Sequence, residues 1–347
     1  MRFNSFVRRA AVVCAALGIT ATALPAVAQD TKIAFQLDWR FEGPSALFLL
    51  PKAKGYFAAE KLDVTIDAGN GSGNAVNRVA SGTYPMGFAD LAALIEFVGN
   101  NPTAPNKPVA VFMVYDDTPA AVFSLKKTGI KKPADLQGKK MGAPVFDAGR
   151  RAFPIFAKAN KLDQSKIAWT AMDAPLRETM LVKGDVDAIT GFYFTSLLNL
   201  NARGIKDDEV DVMMYPKYGA NLYGNAIIVS EQFLKEKPEA VKAFLRAFAK
   251  GMKDVLADPD ASIKFVKDRD ALVDEVLEKR RMKLAIDSVI ATPEAKANGV
   301  GGVQAPRLAD MVTQVSAAFE LKNPVKPEAV FTEAYLPAKA ERMVVPK

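Results

Sequence analysis

Lys32-Ile33-Ala34-Phe35-Gln36-Leu37, then Asp38-Trp39-Arg40-Phe41-Glu42-Gly43-Pro44-Ser45, then the apolar run from Ala46 to Lys54 with Gly55 behind it: this stretch decides the fold. The first six residues alternate polar and apolar, as a strand with one well-covered face does. The loop ends at Ser45, a residue type that caps helices by accepting a backbone N–H. Gly55 stops the helix because it enters the left-handed conformation at no steric cost. A strand, a short polar loop and a helix in sequence form the repeating unit of a mainly parallel α/β sheet.

The unit recurs downstream. Leu62–Asp67 alternates again, and Gly69-Asn70-Gly71-Ser72-Gly73-Asn74 leads into a helix from about Ala75 to Ser81. Met86–Asp90 is a short buried strand running directly into a helix over Leu91–Val98. Val109–Tyr115 and Ala120–Leu125 read as apolar strands parted by Asp116-Asp117-Thr118-Pro119. A second series then begins: a strand at Lys140–Pro144, the loop Phe146–Gly149, a helix over Arg150–Asn160, a strand at Ile167–Ala171 and a helix over Pro175–Val182. Its last strand, Val186–Gly191, continues into Phe192-Tyr193-Phe194. Val212–Tyr215 and Ala226–Val229 lead back toward the first series. Glu239–Leu256, the charged segment up to Leu284 and Ala309–Phe319 read as helices, with Lys279-Arg280-Arg281 as a solvated helix face. The Pro-rich end from Asn323 is expected to lie extended along the surface.

Upstream, Arg2, Arg8 and Arg9 precede an apolar run from Ala10 to Leu24 and the small residues Ala26-Val27-Ala28. That is the layout of a cleavable secretory signal, and its apolar core is too short for a membrane span. Cleavage is expected after Ala28, leaving residues 29–347 in the periplasm. The leader carries three arginines and no acidic residue, so its loss takes the formal charge from +7 to +4. So small a surplus, spread along the chain, does not point to nucleic acid. The chain has no histidine, and its one cysteine, Cys14, lies in the leader. Serine–histidine and cysteine–histidine catalysis, and zinc or haem held by those side chains, are therefore excluded after processing. Carboxylate-only chemistry survives, but binding without catalysis or cofactor is the better reading.

Ligands of open α/β sheets meet the loops at the carboxyl ends of the strands, and here those loops are Gly-rich, aromatic or polar. Asp38 is a carboxylate at a strand end, able to pair with an amine or ring N–H. Trp39 and Phe41 offer a stacking wall, or else pack between strand and helix. Gly71, Ser72 and Asn74 belong to a loop whose backbone N–H groups can approach a ligand; a tight strand-to-helix turn accounts for them equally. Asp90 either faces the site or caps the following helix. Phe146 sits in the corresponding loop of the second series. Arg177 is a candidate anion contact near a helix start, as are Arg150 and Arg151. Of Phe192, Tyr193 and Phe194, strand alternation sends neighbours to opposite faces, and the polar tip of Tyr193 makes it the chosen contact.

With these segments laid out, the chain resembles the solute-binding proteins of ABC importers, in the branch that handles nitrate, sulfonate, taurine and thiamine-pyrimidine precursors. The resemblance runs from about Lys32 to Val266. It rests on Phe35-Gln36-Leu37-Asp38-Trp39, Ala53-Lys54-Gly55-Tyr56-Phe57, Leu62-Asp63-Val64, Asn77 through Gly82 with Gly87-Phe88-Ala89-Asp90, Lys132 through Lys139, and Lys183-Gly184-Asp185-Val186-Asp187-Ala188. It implies a type II periplasmic-binding-protein fold of two lobes, 29–117 with 226–347 and 118–225, hinged near Val114–Ala121 and Tyr223–Ile228. A ligand is expected between the lobes, and the closed monomer is expected to dock transiently on a membrane permease. Leu37-Asp38-Trp39 looks more like the pyrimidine-precursor binders than the sulfonate binders, although the former often carry a histidine shortly after the tryptophan and this chain does not. The related fungal pyrimidine synthases depend on histidine and on a cysteine-rich segment, neither of which is present.

Overall fold

The computed structural model describes residues 30–343, so the leader and its cleavage site lie outside the described residues. Ten strands form two five-stranded mixed sheets flanked by helices: β1 (Thr31–Gln36), β2 (Leu62–Asp67), β3 (Met86–Asp90), β4 (Pro108–Met113), β5 (Ala120–Leu125), β6 (Lys140–Ala143), β7 (Ala168–Ala171), β8 (Ala188–Phe192), β9 (Val210–Met214) and β10 (Asn225–Ser230). The sheet orders are β2-β1-β3-β10-β4 and β7-β6-β8-β5-β9. Four strands in each sheet run in one direction, and the fourth in order, β10 or β5, runs against them, antiparallel to both its neighbours. This is the two-lobe periplasmic-binding-protein architecture.

The chain passes between the sheets at residues 114–119 and 215–224. These two passages lie side by side, joined by Gly224 N–H to Tyr115 O at 2.9 Å and Thr118 N–H to Leu222 O at 2.9 Å. The two passages thus form a paired ribbon between the sheets. The first lobe's core is a chain of rings in which Phe35 stacks on Phe244 at 5.2 Å and Phe48 meets Phe248 at 4.9 Å. Through it the long helix Pro238–Ala257 is fixed across the sheet.

Two expectations are corrected in the C-terminal third. Lys279-Arg280-Arg281 is a solvated face only in part, because Arg280 is exposed but Arg281 is only 1% exposed. Nor does the end of the chain simply lie along the surface. Val330 and Phe331 are buried, and Phe331 bridges to Ala110 at the edge strand β4. An open edge strand invites pairing with another chain, and this segment covers part of it.

Candidate functional site

A cavity with about 560 Å³ of free space, part of it continuous with solvent, opens between the two sheets. The first lobe lines it with Leu37–Arg40, Glu42, Pro44, Ser45, Phe48, Gly71, Ser72 and Phe88, and the inter-lobe ribbon adds Tyr115. The second lobe contributes Asp147, Ala148, Arg177, Phe192, Phe194 and Thr195.

Asp38 follows β1, where the strand ends and the chain turns over the sheet. It is buried and accepts from Asn225 Nδ2 at 2.7 Å and Ser72 Oγ at 3.2 Å. Burial pushes its carboxyl up to about 7, against the lowering effect of those two donors. Both donors are neutral, so no cation repays the desolvation of the charged form. Trp39 lies half-buried beside it, and its indole Nε1–H is buried without an acceptor among the described residues. An unpartnered buried donor is costly, and a ligand acceptor at this wall would satisfy it.

Gly71 starts the next loop. Its φ of +118° is one that residues with a side chain rarely adopt, and a Cβ there would lie 2.2 Å from Phe146 O. Gly73 N–H donates to the same carbonyl at 3.2 Å. A residue without a side chain is thus required where the lobes touch.

On the opposite wall Arg177 is 1% exposed, with Nη1 donating to Asp147 Oδ2 at 2.9 Å and Nε to Glu178 Oε1 at 2.9 Å. Burial works against its charge, but Glu178 and Asp147 outweigh that and hold its pKa above the ordinary guanidinium value. The guanidinium lies 5.1 Å from the centre of the Trp39 ring, which places a cation–π contact across the cleft. Tyr115, Phe192 and Phe194 complete an aromatic wall. Tyr115 stands edge-on to Phe194 at 5.8 Å and to Phe192 at 6.4 Å.

The structure gathers Asp38, Trp39, Gly71, Ser72 and Arg177 around the cavity. Phe41 instead packs on the first lobe's core, beneath the guanidinium of Arg269 at 4.5 Å. Asn74 lies within the helix Ser72–Ala80, away from the lining. Asp90 caps the helix Leu91–Asn100, accepting from Ala92 and Ala93 N–H at 2.9 and 3.2 Å. Burial outweighs those two bonds and lifts its carboxyl to about 8. Phe146 meets the first lobe through its carbonyl, while its ring is 37% exposed. Tyr193 faces an outer groove with Thr118, Leu197 and Met214. β8 ends at Phe192 and a helix begins at Tyr193, so strand alternation does not reach these rings. Phe192 and Phe194 turn inward together. Arg150 donates to Ala143 O, and Arg151 pairs with Glu96 of the first lobe at 2.6 Å.

Several lining residues carry no local sequence signal. Glu42 accepts from Thr195 Oγ1 across the cleft at 2.8 Å. Behind this pair Arg281 donates to the carbonyls of Phe194 and Thr195, each at 2.9 Å, to Asn199 Oδ1 at 3.0 Å and to Glu278 Oε2 at 2.9 Å. One guanidinium from the C-terminal helix Glu275–Ala285 thus holds the second lobe's wall, 86 and 87 residues away in sequence. The two paired sheets, the shared cavity and the loops that build it define a binding-protein fold of the periplasmic type.

A family model described as NMT1/THI5 like matches residues 44–262, and the chain belongs to that family. It is 28% identical over 219 residues to the riboflavin-binding protein RibY of Chloroflexus aurantiacus, covering 62% of this chain and 60%, less than two thirds, of that one. It is 24% identical over 305 residues to the formylaminopyrimidine-binding protein of Halalkalibacterium halodurans, covering 85% and 88%. A 4-amino-5-hydroxymethyl-2-methylpyrimidine phosphate synthase of Aspergillus parasiticus is 27% identical over 242 residues, covering 67% and 68%. Among solved structures, the alkanesulfonate-binding protein SsuA of Xanthomonas axonopodis pv. citri, bound to MOPS, superposes with a TM-score of 0.66 at 14% identity, covering 88% and 100%. A protein of Bordetella bronchiseptica RB50 superposes with a TM-score of 0.71 at 20% identity, covering 88% and 96%.

Proposed function

We propose that this protein is the periplasmic substrate-binding component of an ABC importer. It captures a small polar, ring-containing solute, pyrimidine-like or aromatic, between the lobes 29–117 with 226–347 and 118–225. It then delivers the solute to a membrane permease, acting as a monomer without a cofactor. The observation that carries this reading is a cavity walled by both lobes, with the Asp38 carboxyl at one side and Trp39, Tyr115, Phe192 and Phe194 around it. Rings supply apolar contact, and Asp38 with the free Trp39 N–H sets orientation. The riboflavin- and formylaminopyrimidine-binding relatives support a heterocyclic ligand. Closure follows if the ligand binds the closed form better than the open one.

Some relatives are named as synthases. The absence of histidine from this chain, together with the engagement of Asp90 in a helix cap and of Asp147 in an ion pair, favours binding over turnover. A thermal-shift screen of residues 29–347 against pyrimidines, flavins, aromatic amines and sulfonates tests the reading, since a specific binder raises the melting point by linkage. A ring compound should bind unchanged and be recovered intact. Trp39→Ala should weaken it by about 10- to 100-fold in calorimetric titration, in line with roughly 1–3 kcal/mol per stacked ring. Chemical conversion of the compound, or affinity indifferent to Trp39, would overturn the proposal.

A further inference from the structure

We infer that Asp147 and Glu178 are specificity-determining residues that turn this cleft against organic anions, an inference that rests on the ring-binding reading above. Arg177 is the buried cation of the cavity wall, and a buried guanidinium in a ligand cleft ordinarily marks an anion site. Here that charge is spent before any ligand arrives. Asp147 Oδ2 lies 2.9 Å from Nη1, and Glu178 Oε1 lies 2.9 Å from Nε and 2.8 Å from Nη2. Glu178 is as deeply buried as the arginine, at 1% exposure.

Asp147 and Glu178 bring two carboxyl groups to one guanidinium, and across the cleft stand two further carboxyl groups, Asp38 and Glu42. The other deeply buried arginine nearby, Arg281, is likewise committed, to Glu278 at 2.9 Å and Glu42 at 3.5 Å. Arg40, the remaining cation on the lining, is exposed and lies 3.8 Å from Glu42. An anion entering this cavity meets repulsion that solvent screens poorly. A neutral ring meets open hydrogen-bonding positions instead. The buried Trp39 Nε1 on the cavity lining has no acceptor among the described residues. A ring that presents an acceptor to this N–H and a donor to the Asp38 carboxyl satisfies both without bringing charge.

Benzenesulfonamide and benzenesulfonate test this, because they share a shape and differ in charge. By calorimetry the wild-type mature chain should bind the sulfonamide at least tenfold more tightly. In Glu178→Gln, and separately in Asp147→Asn, the ratio should fall about tenfold or invert; both changes keep side-chain volume and an acceptor oxygen for Arg177. A wild-type preference for the sulfonate, or a ratio unmoved in both variants, would overturn the inference. Binding of neither compound would count against the ring-binding reading, and the charge inference then has a readout free of any ligand. The chain has two tryptophans, Trp39 and Trp169. In a Trp169→Phe background, iodide quenching of Trp39 relative to acrylamide quenching should rise severalfold on Glu178→Gln; an equal ratio would contradict it.

Discussion

The two lobes repeat one strand order, yet corresponding positions in them are put to opposite uses. β3 and β8 are the third strands of their sheets, and each runs straight into a helix. At the first junction Asp90 spends its carboxylate on the backbone of its own helix. At the second, Phe192 makes no side-chain cap and places its ring in the cavity. Charge follows the same division. In the first lobe Asp38 is held by neutral partners, whereas in the second Asp147 and Glu178 are paired with Arg177. The first wall offers an unpaired acid, and the second offers rings over a guanidinium held by two acids. The same topology thus accommodates two chemistries because the loops, not the strands, decide what faces the ligand.

The comparison is broken most severely by removing a paired charge. Arg281→Met leaves Glu278 and Glu42 without their buried partner, and breaking a buried pair costs about 3–5 kcal/mol. Denaturant titration should show that loss, while a change under 1 kcal/mol would mean that the network carries little.

The unpaired acid should behave differently. The Asp38 carboxyl is raised from 3.8 to about 7, so the folded state holds its proton more firmly than the unfolded state does. Its stabilising contribution is complete below pH 4 and is lost as pH rises toward 7, up to roughly 4 kcal/mol over the window. Asp38→Asn should therefore gain stability relative to wild type between pH 4.5 and pH 8, measured by chemical denaturation at both. A constant difference would show that the carboxylate is charged throughout.

Gly71→Ala sharpens the contrast at the point of contact, since its Cβ would lie 2.2 Å from Phe146 O. The closed form should become inaccessible, with about 100-fold weaker ring binding by calorimetry and no ligand-induced compaction in small-angle scattering. Unchanged affinity would mean that capture does not require these loops to meet. The smallest effect belongs to the Glu96–Arg151 pair, outside the cavity lining, where the Arg151 side chain is 32% exposed and that of Glu96 9%. Glu96→Gln should cost at most about 1 kcal/mol of closure, roughly fivefold in affinity, with weaker salt dependence. A larger loss would place this pair among the principal clasps.

Much of this was legible in the residues. Alternation in Lys32–Leu37 and Leu62–Asp67, with Gly-rich or capped loops behind them, marked strand ends and so led to Asp38, Trp39, Gly71 and Ser72, while Arg177 was reached from its place near a helix start; all five line the cavity. The rings after β8 were misread for a local reason. The period changes from two to 3.6 between Phe192 and Tyr193, so Phe192 and Phe194 share a direction that a strand would deny them. Arg281 was invisible for a non-local one. Basic residues at consecutive positions resemble any solvated helix, and only tertiary packing brings the third of them beneath Phe194 and Thr195. Tyr115 and Glu42 were obscured likewise, since their value depends on the opposite lobe.

A crystal structure of residues 29–347 with the tightest-binding ring compound of the screen tests capture between the lobes most directly. The ring should lie between Trp39 and the Phe192–Phe194 wall, with a ligand N–H on the Asp38 carboxyl and an acceptor toward Trp39 Nε1. A compound bound to one lobe alone, or outside the cavity with Asp38 and Trp39 untouched, would contradict the account.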